Sequence, residues 1–192
     1  MATREEARPR SREWIRWPTW EVAIDHERVN AVPDAIARSI VAPAALLLRL
    51  MMGWIFIYAG IDKIVTHFSA SGYLLHSTRG PLTFWFHSLG SNQAALHVIN
   101  PLVISGEILI GATLVLGVFT RGAVFWGSIM LMMFYLSQYP PTTNPFLGYH
   151  LVYIVILALL GALGAGRVLG LDRYVERIPW IKQHRAVTFL LG

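Results

Sequence analysis

The chain has 192 residues, 55% of them hydrophobic and 14% charged, with a mean hydropathy of +0.50, a composition too apolar for a soluble domain of this length. Sixteen basic against eleven acidic residues leave a net charge of +5, which the distribution of cations along the chain ties to membrane topology and anionic lipid headgroups, with no nucleic-acid partner implied. The absence of cysteine excludes thiol redox chemistry, iron–sulfur ligation, covalent haem attachment and disulfides.

Residues 1–39 carry seven arginines and seven acids and no short apolar core with a cleavage site, so no signal peptide is read there. Trp14, Trp17 and Trp20 lie among these charges, the composition of an arm that rests on a headgroup surface. Four apolar windows follow, Ile40–Ile61, Pro101–Thr120, Gly122–Gln138 and Tyr149–Gly166. Each approaches the roughly 20 helical residues needed to span about 30 Å of hydrocarbon. Only Thr120 and Arg121 separate the second window from the third, which predicts a tight antiparallel hairpin.

Between the first two spans, residues 62–100 are too apolar for a solvated loop yet are broken at Gly80–Pro81 and Gly90. One or two short interfacial helices are expected there, with Phe84, Trp85 and Phe86 turned to lipid or to the bundle. The connection "YPPTTNPFLGYH" has three prolines and no charge and reads as a compact cap. Residues 167–192 form a basic amphipathic tail with Trp180. Thirteen of the sixteen cations fall on the side that carries both termini, so both termini are read as cytoplasmic. The fold expected is all-α: an integral membrane four-helix bundle over 40–166, with interfacial helices in the first outer loop and at both termini.

The polar residues inside these spans carry the functional argument. Arg49, Gly53, Phe56, Gly60 and Lys63 are spaced 4, 3, 4 and 3 and share one helix face. Intramembrane charges and small residues turn toward other helices, so this stripe should face the bundle. Glu107 lies roughly 9 Å inside the second window at 1.5 Å per residue and needs a cation, a proton or water. Side chains lean toward their own helix's amino terminus, which brings Lys63 and Glu107 to one level. The alternatives are an Asp62–Lys63 pair at the rim and an Arg49–Glu107 pair, although snorkelling to the inner surface is the easier course for Arg49. His150, Tyr153, Leu157, Gly161 and Gly164 form one face of the fourth span.

Tyr58, Asp62, Lys63, Glu107, Tyr135, Gln138, Asn144 and His150 therefore all belong to the outer half. That concentration suggests a cavity for a polar-headed lipophilic molecule and a proton path. It also suits plain helix-to-helix gluing. The loop histidines His67, His76, His87 and His97 match no metal spacing, and no second histidine at a facing depth partners His150 for haem. No metal, haem or iron–sulfur site is expected.

"LLLRLMMGWIFIYAGIDKI", "GYLLHSTRGP", "INPLVISGEILIGATLVLGVFTR", "FYLSQYPPTTNPFLGYHLVYI" and "GAGRVLGLDRY" occur in that order and resemble the DoxX/DoxD family, in particular the DoxD small subunit of thiosulfate:quinone oxidoreductase. The resemblance covers about residues 49–174. It implies a four-helix protein of the prokaryotic cytoplasmic membrane associated with oxidation of thiosulfate to tetrathionate and electron transfer to quinone. Arg49, Lys63, Glu107, Asn144 and His150 match positions of its pattern. Against that pattern, the sequence is read as departing in two ways, ending soon after the fourth span without a soluble DoxA-like portion and opening with the tryptophan arm.

The reading that results is a subunit with a quinone-head pocket near the outer leaflet. Glu107, Lys63 and His150 would be its reactive groups, and Tyr58, Tyr135, Gln138, Asn144 and Arg49 would hold the cofactor. Electrons would come from a partner, a membrane or soluble redox subunit, within a hetero-complex or homo-oligomer. The alternative is a non-catalytic accessory or anchor subunit, with the buried charges serving packing.

Overall fold

The computed structural model describes residues 34–142, 144, 146–178, 181, 190 and 191, with side chains from Ser39 onward. The surface roles expected of Trp14, Trp17, Trp20 and Trp180 lie outside these residues. The chain divides into a unit Met1–Ala37 and a unit Arg38–Gly192, and every candidate site residue belongs to the second.

Every element among the described residues is helical: α1 Asp34–Val65, α2 Ala70–His76, α3 Thr83–Ser91, α4 Gln93–Leu116, α5 Thr120–Ser137 and α6 Tyr149–Ala162, then a 3₁₀ turn Ala165–Arg167 and a last short helix α7 Asp172–Val175. Within them Ser39–Val65 and Gln93–Leu116 are each long and apolar enough to cross a membrane. α6 is apolar but has 14 residues, about 21 Å of helix.

Helix ends differ from the expected windows for local reasons. Asn92 caps α4, its side-chain oxygen accepting from the Ala94 and Ala95 N–H groups, so that helix begins eight residues before Pro101 and carries the proline inside it. The missing N–H of Pro101 frees the His97 carbonyl, in the first turns of the helix, and the Ser105 hydroxyl donates to the Pro101 carbonyl at 2.5 Å. The hairpin turn is Gly117–Phe119, whereas Thr120 and Arg121 open α5. Gly117 takes φ +63°, and the Val118 N–H reaches the Thr113 carbonyl at 3.0 Å, a left-handed cap that closes the helix. α6 stops short of Gly166 because Gly164 adopts φ +60°.

α1 buries one stripe. Ala45, Arg49, Met52, Phe56 and Gly60 are buried, while Leu47, Met51, Trp54 and Tyr58 are exposed. Against that stripe α4 approaches closely: a Cβ on Gly111 would stand 2.6 Å from the Gly53 carbonyl oxygen, so only glycine fits this crossing. Phe56, Met52 and Ala45 join Ile110 and Leu114 of α4, Ala123 and Leu131 of α5, and Leu157 and Leu160 of α6 in one core. A second, smaller core gathers Ala70 and Leu74 of α2, Phe86 of α3 and Leu96 of α4. The two short helices thus cover the amino-terminal part of α4. Of the three aromatics expected to act together, Phe86 points inward while Phe84 and Trp85 are exposed. The Ala70 N–H donates to the Asn100 side chain at 2.8 Å and the Ser71 hydroxyl to the Gly90 carbonyl at 2.9 Å, fastening α2 to its neighbours.

Candidate functional site

Lys63 and Glu107 meet across the α1–α4 crossing. The ammonium lies 2.8 Å from each carboxylate oxygen and is directed at Oε1; Oε2 has no donor aligned on it among the described residues. Lys63 also reaches the Ala59 carbonyl at 3.3 Å and stands 5.5 Å from the centre of the Phe68 ring. Asp62, the rim alternative, is exposed and forms no ion pair among the described residues. The glutamate is almost wholly enclosed, the lysine partly so. This is the geometry in which a buried acid is tolerated.

Arg49 is far from that pair in bonding terms and does not snorkel. It leans toward its helix's amino terminus as expected but remains 1% exposed, because Nη1 donates to the Ala165 carbonyl at 2.6 Å and the Val168 carbonyl at 3.0 Å. Glycines make the space: a Cβ on Gly117 or Gly170 would stand 2.5 or 2.7 Å from Nη1. Asp172, fully buried, completes the knot. Its two carboxylate oxygens accept from the Phe119 N–H at 2.7 Å and the Thr120 N–H at 3.2 Å, at the start of α5. Its own N–H donates to the Gly117 carbonyl at 2.8 Å, and its charge acts on Arg49. "GAGRVLGLDRY" is therefore a strap binding the end of α6 to the α4–α5 turn. Arg49 is part of that strap and lines no cavity with the other candidates.

At the opposite end a cavity of about 500 Å³ is lined by His76, Ser77, Arg79, Tyr135, Gln138, Pro141, Thr142, Leu147, Gly148, Tyr149 and His150. Tyr135, Gln138 and His150 come together here as expected, from α5 and α6. His150 is buried, stacked on Tyr149 with ring centres 4.0 Å apart. The other candidates are elsewhere. Tyr58 is 60% exposed beside Trp54. Asn144 turns its side-chain oxygen onto the Phe146 and Leu147 N–H groups, a local turn. Glu107 and Lys63 line neither this cavity nor the apolar groove behind it. The Glu107 carboxylate lies instead at the α1–α4 crossing, paired with Lys63.

The cavity's donors divide into two kinds. Tyr135 already gives its proton to the Phe146 carbonyl at 2.9 Å, and Gln138 donates to the Tyr73 oxygen at 3.1 Å. The side chains of His76, Arg79 and His150 form no hydrogen bond among the described residues, and no carboxylate lines the cavity. His76 and Arg79 were not singled out beforehand, although Arg79 is one of only two cations on that side of the charge map. What brings them in is the Arg79 N–H donating to the Ser137 carbonyl at 2.9 Å, a long-range backbone bond without sequence signature.

Behind the same wall lies the groove, of about 610 Å³, on the other face of α5, bounded by apolar residues of α2, α3, α4 and α5. Tyr73 and Ser137, which line it, share a 2.6 Å hydrogen bond. One residue on, Gln138 lines the polar cavity.

Compared with known families, residues 44–139, half of the chain, match the DoxX family model. No curated protein and no solved structure matches it.

Proposed function

The chain belongs to the DoxX family of membrane proteins, and from that premise we propose that it is the membrane subunit of a quinone-linked oxidoreductase, with the quinone head group in the cavity beside His150. In this reading α1, α4, α5 and α6 form a four-helix membrane bundle with both termini cytoplasmic, and α2 and α3 lie at the outer interface. The positive-inside distribution supports that orientation: the turn and strap at the Arg49 end carry Arg121, Arg167, Arg173 and Arg177. The likeness to the DoxD subunit extends the proposal to thiosulfate as the reductant, oxidised by a partner chain.

The observation that carries the reading is the set of donors on His76, Arg79 and His150, uncommitted to any described residue, facing one cavity without a carboxylate. Such a set fits a head group whose polar atoms are acceptors, which a quinone's carbonyl oxygens are. A bound quinone would supply two-electron, two-proton acceptor chemistry. The chain's own contribution is orientation by Arg79 and His76, proton delivery by His150, and exclusion of water by the Tyr149–His150 stack.

The test is quinone content and ring binding of protein purified in nanodiscs. His150→Ala and Arg79→Ala should each lower ring binding per folded molecule by about tenfold, the worth of one good hydrogen bond to a charged or buried donor, with thermal stability unchanged in the exposed Arg79 variant. Full binding in both variants rejects the reading. One observation favours the accessory-subunit reading instead: the deeply buried charges Arg49, Glu107 and Asp172 are engaged in joining separate segments of the chain. Turnover per assembled complex that survives His150→Ala would select it.

A further inference from the structure

We infer that Gln138 sets the redox preference of the proposed ring site, by holding its amide oxygen as an acceptor that recognises the hydroxyl of a hydroquinone. The inference rests on the quinone reading of the cavity and gives one of its walls a fixed polarity.

That polarity originates at the end of α5. The Gln138 N–H turns back to the Tyr135 carbonyl at 3.2 Å, one residue short of its α-helical partner, so the Phe134 carbonyl loses the backbone donor a continuing helix would give it. The Ser137 hydroxyl replaces that donor at 2.7 Å. Ser137 is 1% exposed, and with its single proton spent its oxygen can only accept. Tyr73 of α2 is then the donor across their 2.6 Å contact. The Tyr73 oxygen, its own proton spent, accepts in turn, so the Gln138 atom 3.1 Å from it is Nε2 and not Oε1. The reversed amide would leave one of the three contacts as two oxygens with no proton between them.

The amide is thus oriented from outside the cavity that its side chain lines, since Tyr73 and Ser137 are not part of that lining. Among the described residues the sealed, unpartnered polar atoms are Arg49 Nε, Glu107 Oε2 and Thr120 Oγ1. Oε1 of the half-buried Gln138 accepts from no described residue and is not one of them, so it is open to a ligand. Ser77 and Thr142 also line the cavity, but a hydroxyl rotates to give or accept as the ligand requires. Toward a quinone, whose ring oxygens only accept, Oε1 has nothing to bind. Toward the hydroquinone it accepts an O–H, while the ligand oxygens still accept from His76, Arg79 or His150. One bond made with one form alone corresponds to about a tenfold preference. Such a preference raises the midpoint potential of the bound couple by about 30 mV for two electrons, making the ring a better acceptor for electrons from the proposed partner.

The test is anaerobic equilibrium dialysis of a tail-free benzoquinone and of its hydroquinone against the full chain in nanodiscs, read as the ratio of the two dissociation constants. Wild type should bind the hydroquinone about tenfold tighter, and Gln138→Leu should bring the ratio to about one. Tyr73→Phe keeps the ring packed against Phe134, 6.4 Å between centres, but frees the amide to turn its N–H groups to the cavity, and should also bring the ratio to about one. Misfolding lowers both apparent affinities together, so the ratio reads the amide alone. Equal binding of the two forms by wild type, or a wild-type preference retained in Gln138→Leu or Tyr73→Phe, overturns this inference and leaves the quinone reading standing where His150→Ala and Arg79→Ala still weaken binding. Binding of both forms that is unaffected by His150→Ala and Arg79→Ala overturns both.

Discussion

Removing either member of the Lys63–Glu107 pair deletes the same ion pair, yet the two deletions are expected to differ several-fold in cost. The side chains are 19% and 3% exposed, respectively. In Lys63→Met the carboxylate stays enclosed without a cation, and orphaning a buried charge costs about 3–5 kcal/mol. Neutralisation sets a ceiling, because protonating a glutamate at pH 7 from its reference titration near 4.3 costs about 3.7 kcal/mol. In Glu107→Leu the ammonium keeps the Ala59 carbonyl and the Phe68 ring and can extend along its stem toward the surface, for a loss of about 1 kcal/mol. The double variant buries two apolar side chains where two charges stood and should lie within about 1 kcal/mol of wild type. The assay is an unfolding titration in mixed micelles on all four proteins. Equal losses in the two single variants, or a double variant that loses their sum, would refute the account.

Two further predictions concern the strap. Arg49→Met should destabilise by about 2–4 kcal/mol, because two buried carbonyls lose a charged donor and the glycine-lined space is left poorly filled; thermal unfolding in detergent measures it, and Arg49→Lys should recover less than half because one ammonium replaces a planar fork. Asp172→Asn keeps the shape but weakens the charge-assisted cap on α5 by about 1–2 kcal/mol, which should appear as roughly tenfold faster hydrogen exchange at the Phe119 and Thr120 amides.

How much of the molecule was legible in its sequence depended on whether a relation was periodic or long-range. The α1 stripe followed from spacing alone, since Arg49, Gly53, Phe56 and Gly60 are buried on one face, and the direction in which helix side chains lean was enough to pair Lys63 with Glu107. The same rule sent Arg49 toward the correct end but could not foresee that the chain after α6 folds back. That return depends on Gly164 at φ +60° and on carbonyls more than a hundred residues away in sequence. The cavity was half legible. Tyr135, Gln138 and His150 sit at helix ends whose depth can be counted, whereas His76 and Arg79 enter from a loop held by one backbone bond to Ser137. Tyr58 and Asn144 were counted by depth without regard to face, and each turns away from the cavity.

The two ends of the molecule treat charge in opposite ways, and that difference is the physical basis for looking for function at only one of them. At the Arg49 end two buried charges, Arg49 and Asp172, are directed onto backbone groups from two separate segments, with glycines clearing the space; such a knot has little freedom to change its state without loosening the fold. Between the ends, Glu107 and Lys63 close a crossing where backbones approach too closely for a side chain. Beyond them, the cavity gathers the exposed side chains of His76 and Arg79 and the buried ring of His150, none of which hydrogen-bonds a described residue. Of the three, His76 and Arg79 are exposed and His150 is buried, so the imidazole of His150 is the donor that packing alone leaves without a described hydrogen-bond partner. Substitutions should separate accordingly: strap variants lower stability with ring binding intact per folded molecule, and a cavity variant at the exposed Arg79 lowers ring binding with stability intact.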